Sequence, residues 1–156
     1  MAKNYWLMKS EPETFSIEDL AKAPKKTTFW DGVRNFQARN LLRDMKIGDG
    51  VLFYHSSADP PGVAGLAEVV AEATPDPSQF DPKDDHYDAA SPQAEPRWYG
   101  VKIQYGETFK HFVALDEIRA TSALSNMVLV KRSRLSVQPV TPDEYKTIVG
   151  LGKRGS

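Results

Sequence analysis

Short blocks of apolar residues separated by polar turns open the chain, and they predict a strand followed by a short helix. The run YWLMKS from Tyr5 to Ser10 is rich in aromatic and aliphatic residues and stops before Pro12, which is typical of a β-strand entering a turn. Ser16 then provides a helix N-cap, with Asp19 three residues later as a weaker form of the capping-box acid. We therefore predict a short helix that begins after Ser16 and ends before Pro24.

A second helix is predicted by an apolar stripe in the segment FQARNLLRDM. If Asn35 is the N-cap, four apolar side chains fall at i, i+3, i+4 and i+7, the spacing of one buried helix face: Ala38, Leu41, Leu42 and Met45. Gly48 supplies the C-terminal stop. The preceding segment WDGVRN is then a loop that delivers Trp30, Arg34 and Asn35 to the N-terminus of the helix.

The pattern in the middle of the chain predicts two paired strands and a long loop. The segment GDGVLFYHS after Gly48 has the composition of a buried strand, and PPGVAGLAEVVAEA predicts a second strand entered through a Pro-Gly turn. Small residues in this second strand permit close packing or barrel curvature: Ala64, Gly65 and Ala67. Residues 75–96 are rich in proline and aspartate and poor in aliphatic residues, so we predict a surface loop inside one domain that spans 1–156.

The last third of the chain completes the set of elements. RWYGVKIQYG and FKHFVA predict a hairpin that turns near Gly106, SALSNMVLVK predicts a helix, and RLSVQPV predicts a final strand. Thr141 is the N-cap of a terminal helix, with Pro142 at its first position, Glu144 closing a capping box and Gly150 at its end. The sum is an α+β domain of about five or six strands, arranged as a small curved sheet or open β-barrel flanked by short helices.

Composition restricts the classes of function. The 156 residues carry a formal net charge of −1, which argues against a broadly cationic surface for nucleic acid but leaves room for a local basic patch. The absence of cysteine excludes disulfides, thiolate metal sites and a cysteine nucleophile, and it fits a cytosolic or nuclear protein. The first residues lack a signal-peptide pattern, and no apolar run approaches the roughly 18 residues of a membrane span. We expect a cytoplasmic protein, or a nuclear one in a eukaryote.

Candidates for catalysis are few. The sequence contains no nucleophile elbow, zinc-protease motif, P-loop or dinucleotide fingerprint. His55 follows a predicted strand and is a candidate acid or base, although a hydrogen-bonded structural histidine is the more common use of such a position. The aspartates of the long loop lack the spacing and central glycine of a calcium site, so a solvated loop is favoured: Asp76, Asp81, Asp84, Asp85 and Asp88, with His86 among them. We predict no metal and no cofactor.

Aromatic residues at predicted strand ends and loops favour a pocket for a planar base. Trp30 lies on a loop, Tyr54 ends one strand and Trp98 begins another. Such rings can stack on the faces of a base, while hydroxyl, amide and carboxyl groups read its polar edge: Ser10, Glu11, Asn35, Ser56, Ser136 and Gln138. Taken singly, the tryptophans are equally well explained as core residues, and Ser10 and Glu11 as turn formers. The joint occurrence of these residues is what favours a pocket.

Basic residues near these segments are candidates for contacts with phosphate groups. Besides Arg34, the set comprises Arg39, Lys131, Arg132 and Arg134. A run of charges before a strand is also the usual pattern of a solvated face. The sequence leaves both readings open.

Five longer segments closely resemble the EVE domain family and occur in the family's order: YWLMKSEPETFS, WDGVRNFQARNLLRDMKIGD, VLFYHSSADPPGVAGLAEVV, PRWYGVKI and RLSVQPVTPDEY. The resemblance covers nearly the whole chain. It implies a PUA-like fold, an open β-barrel related to YTH and ASCH domains, whose central pocket accepts a modified base flipped out of nucleic acid. For EVE domains the implied ligand is a modified cytosine in DNA, whereas the related YTH domains recognise methylated adenine in RNA.

The resemblance also implies which residues form the pocket. These residues lie in the matching motifs KSEP, WDGVRN, FYHS, PRW and LSVQPV of this sequence. They are Ser10, Glu11, Trp30, Arg34, Asn35, Tyr54, His55, Ser56, Trp98, Ser136 and Gln138. Phe36 stands where the family usually has tyrosine, a change that removes a hydroxyl group.

Four possible functions follow from this interpretation. The leading expectation is a non-enzymatic monomer that binds nucleic acid containing a modified base, DNA in preference to RNA, with no membrane partner. The first alternative is an enzyme acting on a nucleobase or nucleotide, with His55 or Glu11 as acid or base; another is an RNA-binding module similar to PUA and YTH domains. A scaffold for protein partners is the remaining alternative.

Overall fold

The computed structural model describes residues 3–131 and 134–154 and shows one mixed sheet with helices on both faces. Within these residues the sheet has six strands: β1 (Tyr5–Ser10), β2 (Thr27–Phe29), β3 (Gly50–His55), β4 (Gly62–Pro75), β5 (Tyr99–Ala114) and β6 (Val137–Val140). The helices are α1 (Ile17–Lys22), α2 (Phe36–Asp44), α3 (Leu115–Ala120), α4 (Val128–Lys131) and α5 (Pro142–Lys153). Short 3-10 turns cover Pro24–Lys26, Pro77–Phe80 and Ser122–Leu124.

The strands are ordered β2-β5-β4-β3-β1-β6, and β1 and β3 form the parallel pair of the sheet while the other pairs are antiparallel. Irregularities in register between β4 and β5 curve the sheet, as bulges do. Gly65 permits this close pairing, because a Cβ there would collide with the carbonyl oxygen of Glu107 on β5. The α+β class, the strand number and the open curved sheet flanked by short helices are therefore confirmed.

Alternation along the strands divides the core into two clusters, one on each face of the sheet. On β1, Trp6 and Met8 belong to one cluster and Leu7 to the other. Helices α1 and α2 cover the first face through buried residues such as Leu20 and Leu42. Helices α3, α4 and α5 cover the second: Ile118, Leu129 and Ile148. The candidate site lies on the side of the first cluster.

The predicted caps match the structure closely. The Ser16 side chain accepts a hydrogen bond from the Asp19 amide, and the Asp19 carboxylate accepts one from the Ser16 amide, so a full capping box starts α1. Asn35 caps α2 by accepting from the amide of Ala38 at 2.9 Å. Thr141 and Glu144 form the capping box of α5. These local signals succeed because each satisfies an amide that its own helix leaves unpaired.

Several predicted boundaries are wrong. Helix α2 ends at Asp44, and Gly48 instead forms the turn before β3 with a φ of 95°; α5 continues past Gly150 to Lys153. The predicted hairpin is the single long strand β5, because Gly106 accommodates the close approach of the Leu66 backbone and does not make a turn. The helix predicted from SALSNMVLVK is a 3-10 turn followed by the single turn of α4. Strand β2 and helix α3 were not predicted.

The long loop between β4 and β5 is more ordered than its composition predicts. Asp76, Ser78, Gln79 and Ser91 are buried polar residues. The Gln79 side chain donates to the carbonyl oxygens of Asp76 and Trp98 and accepts from the Ser91 hydroxyl. The loop is thus folded around its own polar network, and the prediction of a merely solvated segment is wrong for Asp76.

Candidate functional site

A cavity of about 510 Å³ opens where the end of β1 meets the connection between β2 and α2. Two chain segments and one residue of the long loop form its walls: Lys9, Ser10, Glu11, Thr14 and Phe15 from the first segment, Thr28, Phe29, Trp30, Asp31 and Gly32 from the second, and His86 from the loop. Its volume lies within the range of about 300–1,000 Å³ that is usual for small-molecule pockets. The cavity can therefore hold one planar ring system.

Aromatic rings form part of the wall and are held from behind. The Trp30 ring meets Phe53 of the core edge-on, with 5.6 Å between ring centroids, and its backbone amide donates to the Val101 carbonyl oxygen at 2.7 Å. Phe15 is placed by the turn after β1, since its carbonyl oxygen accepts from the Ser10 hydroxyl and its amide donates to the carbonyl oxygen of Glu11. The wall is therefore fixed before a ligand enters.

Four residues with ionisable side chains line the cavity: Lys9, Glu11, Asp31 and His86. Partial removal from water raises the pKa of Asp31, and the negative charges of Asp76 and Asp84 act in the same direction, with His86 opposing them. Burial lowers the pKa of Lys9. Asp31 nevertheless remains exposed at the cavity wall, while the Lys9 ammonium lies over the Tyr54 ring.

Asp76 joins the pocket wall to the long loop. Its side chain has no exposed surface and accepts hydrogen bonds from the Gly32 amide at 2.8 Å, from Arg34 at 3.1 Å, and from the amide and hydroxyl of Ser78. Burial by itself raises the pKa of Asp76, but the hydrogen bonds from Ser78, Gly32 and Arg34 outweigh it and hold the pKa below its usual range. Asp76 is therefore a charged anchor for the neighbouring pocket residues.

Arg34 anchors the loop from the other side and does not line the cavity. Its guanidinium donates to the carbonyl oxygen of His86 at 2.9 and 2.6 Å and to the Ser78 hydroxyl at 2.9 Å. The His86 ring consequently packs on Gly32, where a Cβ would lie only 2.7 Å from the ring. Gly32 also has a φ of 78°, which favours glycine. Arg34 thus positions His86, a pocket residue that sequence reasoning had placed in a solvated loop.

Trp98 fixes the far end of the same loop. Its indole nitrogen donates to the Asp88 carboxylate at 2.7 Å, and its ring stacks on Phe36 with 4.7 Å between centroids. Trp98 is buried, whereas 52% of Phe36 is exposed. Neither residue lines the cavity, so in this structure the ring of Trp98 supports the loop and the absent hydroxyl at Phe36 lies outside the pocket wall.

The FYHS segment lies behind the pocket. His55 is buried, and its Nε2 accepts a hydrogen bond from the Ile17 amide at 3.1 Å, so it caps the start of α1. Tyr54 belongs to the second core cluster, with the Lys9 ammonium 5.5 Å from its ring centroid. The Ser56 amide donates to the Ser10 carbonyl oxygen. These three side chains do not line the cavity.

The arrangement at His55 predicts a pH dependence of stability. Burial lowers the pKa of His55 below 6.5, against a smaller opposing effect of Glu18, so the unfolded chain binds a proton more readily than the folded protein. The free energy of unfolding is then highest above about pH 6.5 and falls as the pH drops below that value through the folded-state pKa. Urea unfolding at pH 7.5 and 5.5 measures the effect.

His55→Gln removes this titration and keeps an acceptor for the Ile17 amide, so we expect a smaller loss of stability between the two pH values than in the unaltered protein. His111→Gln is the matched control, since it removes a histidine that pairs with Glu117 and does not cap α1. An unchanged pH dependence in His55→Gln contradicts the prediction.

The remaining predicted residues lie away from the cavity wall. Asn35 is engaged as the cap of α2, and the buried Gln138 donates to the Leu135 carbonyl oxygen. The guanidinium of Arg39 donates to the Arg97 carbonyl oxygen and the Asn40 side chain. The others lie near the strand that follows α4: Ser136, whose carbonyl oxygen accepts from the Lys9 amide, and the exposed Lys131 and Arg134. Arg132 lies outside the described residues.

The structure therefore brings three of the predicted residues to the cavity, namely Ser10, Glu11 and Trp30. The pocket residues that sequence reasoning did not select include Asp31 and His86. Asp31 lies inside the WDGVRN motif, and its position next to Trp30 could have marked it as a pocket residue. No local sequence pattern marks His86, because it is held at the pocket by Arg34, which is 52 residues away in the chain.

Fold and site together define a PUA-like α+β domain with an aromatic-walled pocket. The chain belongs to the EVE domain family, whose sequence profile matches residues 4–151. Thymocyte nuclear protein 1 of Rattus norvegicus is 48% identical over 165 residues, covering 95% of this chain and 73% of that protein.

Two solved structures show how far the similarity in fold extends. The human THYN1 protein in complex with DNA containing 5-methylcytosine superposes with a TM-score of 0.94 at 44% identity, covering 99% of this chain and 100% of the other. A hypothetical protein from Leishmania major gives a TM-score of 0.93 at 43% identity, covering 97% of this chain and 96% of the other. The family assignment made from the sequence is confirmed.

Proposed function

We propose that this protein is a reader of modified cytosine in DNA, which it binds by accepting the flipped base in the pocket between β1 and the β2–α2 connection. The observation that carries the proposal is an aromatic-walled pocket in a chain that matches, over 99% of its length, a protein solved with 5-methylcytosine DNA. Proteins that bind a flipped base stack it between aromatic or apolar side chains and read its polar edge with hydrogen bonds. The walls of this pocket supply both kinds of group.

The contribution of the methyl group to the binding free energy determines the expected selectivity for methylated over unmethylated cytosine. One buried methyl group contributes about 0.8 kcal/mol, which corresponds to roughly a fourfold difference in affinity. A clear preference for methylated over unmethylated cytosine is therefore expected, but not an absolute one. Stacking and hydrogen bonding to the ring supply the rest of the binding free energy.

The test of this function is binding to matched oligonucleotides. Fluorescence anisotropy at one stated salt concentration would compare DNA with a single cytosine, 5-methylcytosine or 5-hydroxymethylcytosine, in single and double strands, and RNA carrying methylated adenine. We expect the tightest binding to a modified cytosine in DNA. Equal affinity for all DNA probes contradicts the reader, and preference for the RNA probe favours the RNA-binding alternative.

We infer that the protein binds without turning over its ligand. The acid or base role considered for His55 is disfavoured, because its Nε2 is already the acceptor for α1 and its ring is buried away from the cavity wall. Glu11 remains at the pocket, where a carboxylate serves binding as well as proton transfer. Incubation of excess protein with the modified DNA, followed by nucleoside mass analysis, should show no loss of the modified base; loss that disappears in Glu11→Gln would establish the enzyme instead.

The basic segment after α4 predicts a contribution to DNA affinity that is independent of the base. The backbone of Ser136 is bonded to Lys9 beside the pocket, and we infer that the nearby exposed Lys131 and Arg134 contact the DNA backbone. Each phosphate contact adds about 0.7–0.9 to the slope of log affinity against log salt concentration. Replacing both residues with alanine should weaken binding to all DNA probes alike and lower this slope by about 1–2.

Lys110→Ala with Lys153→Ala is the matched control, since it removes equal charge at exposed positions of β5 and of α5, the helix that covers the second core cluster. We expect a smaller effect on the salt dependence from the control pair. A change in preference among bases, with the slope intact, would place Lys131 or Arg134 in base recognition and contradict the assignment to phosphate.

The relatives named thymocyte nuclear protein support a nuclear location if the chain is eukaryotic. Among the described residues, no helix is both long and apolar enough to cross a membrane.

A further inference from the structure

A pocket that recognises only the 5-methyl group would bind thymine as well as 5-methylcytosine. Thymine carries the same methyl group as 5-methylcytosine and is a normal base of DNA. The two bases differ at the 4-position, where cytosine has an amino donor and thymine a carbonyl acceptor. They also differ at ring nitrogen N3, an acceptor in cytosine and a donor in thymine. If the protein reads modified cytosine, its pocket must contain a group that distinguishes these edges.

An ionised carboxylate makes this distinction, because it only accepts hydrogen bonds. It attracts the amino group of cytosine and repels the carbonyl oxygen of thymine. Among the cavity-lining residues, the carboxylates are Glu11 and Asp31. The choice of reader is therefore between these two side chains.

The surroundings of Asp31 favour it over Glu11. Asp31 directly follows the Trp30 wall, and both of its neighbours are fixed by backbone hydrogen bonds, Trp30 to Val101 and Gly32 to Asp76. Asp31 is solvent-accessible, as a ligand contact must be, yet its pKa is raised by partial removal from water and by the nearby charges of Asp76 and Asp84, with His86 acting in the opposite direction. A carboxylate in such negative surroundings gains most from a partner that only donates.

We propose that Asp31 is the residue that makes this pocket specific for cytosine over thymine, by accepting a hydrogen bond from the 4-amino group of the flipped base. The proposal rests on the proposed function and assigns the amine-reading role to Asp31 in preference to Glu11.

The test uses four bases that separate the methyl group from the amino group. Duplexes carry one cytosine, uracil, 5-methylcytosine or thymine opposite an abasic site, so that the pairing lost on flipping is the same for each. Binding is measured for the unaltered protein and for Asp31→Asn, Asp31→Glu, Glu11→Gln and Asp85→Asn. The last is a matched loss of charge in the long loop, outside the cavity wall.

We expect Asp31→Asn to reduce the 5-methylcytosine-to-thymine affinity ratio by about tenfold or more, the range for a hydrogen bond to a charged group. The cytosine-to-uracil ratio should fall by the same factor, since the same amino group is replaced. Asp31→Glu keeps the carboxylate and should retain the direction of preference, and Asp85→Asn should leave both ratios as they are. Melting temperatures and affinity for a duplex without the target base check that each variant is folded.

Two results overturn the proposal while the reader function stands: both ratios survive in the folded Asp31→Asn variant, or they collapse in Glu11→Gln and not in Asp31→Asn. If the unaltered protein discriminates neither methylated from unmethylated cytosine nor cytosine from uracil, the proposed function itself fails. A loss of both ratios that is confined to Asp31→Asn supports the assignment.

Discussion

Trp30→Ala lowers the affinity for DNA carrying a modified cytosine by about 1–3 kcal/mol, or roughly 5- to 150-fold, the loss expected when an aromatic ring no longer stacks on a base. The ring lines the cavity and is backed by Phe53, so its position does not depend on the ligand. Affinity for DNA without a target base should change little, because the proposed phosphate contacts involve other residues. Anisotropy titrations with both probes measure the two effects.

A loss of stability accompanies this change and has to be separated from it. Trp30 packs against the first core cluster but is only partly buried, so the loss should stay below the about 3–5 kcal/mol of a fully buried tryptophan. Ile118→Ala is the matched control, since it destabilises the second core cluster without touching the pocket. Trp30→Phe keeps a smaller ring and should retain part of the affinity. If folded Trp30→Ala binds the modified base normally, Trp30 is not the stacking wall.

The sequence predicts those parts of the fold that depend on residues close together in the chain. Ser16, Asn35 and Thr141 each cap a helix, because the amide that they satisfy lies only three residues away. The six residues of β1 are bounded by a proline turn and are likewise correct. Such contacts form whatever the rest of the chain does.

The errors arise where a distant residue decides the outcome. Gly106 signals a turn when taken alone, but its lack of a side chain is used for contact with Leu66, 40 residues earlier, inside one continuous strand. Strand β2 has only three residues and exists because it pairs with β5 at the edge of the sheet. Neither partner can be found from local pattern.

The same distinction explains how much of the candidate site was predictable. Ser10, Glu11 and Trp30 are found because motif and loop position place them at the sheet's end. Asp76 is not, since an aspartate among prolines and other aspartates has the composition of a solvated loop. Its burial depends on Arg34 and Gly32, which arrive from 42 and 44 residues away. The Asp76 carboxylate beside the pocket is thus held in place by contacts with residues that are distant in the sequence.

Asp76→Ala should be the most destabilising single change near the pocket. The side chain is fully buried, and its removal leaves the guanidinium of Arg34, the Gly32 amide and the Ser78 groups without their acceptor. Removing one partner of a buried ion pair typically costs about 3–5 kcal/mol; Arg34 keeps 21% of its surface in water, which places the expected loss near the lower end. Urea unfolding at pH 7 gives the free energy.

The same substitution should weaken DNA binding even where the protein remains folded, because Gly32 and His86 are both held through Asp76 and Arg34. Hydrogen exchange of the Gly32 amide reports this loosening directly, and we expect its protection to fall more than that of β3. Asp81→Ala is the matched control: it removes an exposed carboxylate of the same loop that accepts a hydrogen bond from the nearby Lys83 amide. If Asp76→Ala costs no more stability than Asp81→Ala, or if Gly32 remains protected in it, the pocket wall does not depend on this buried charge.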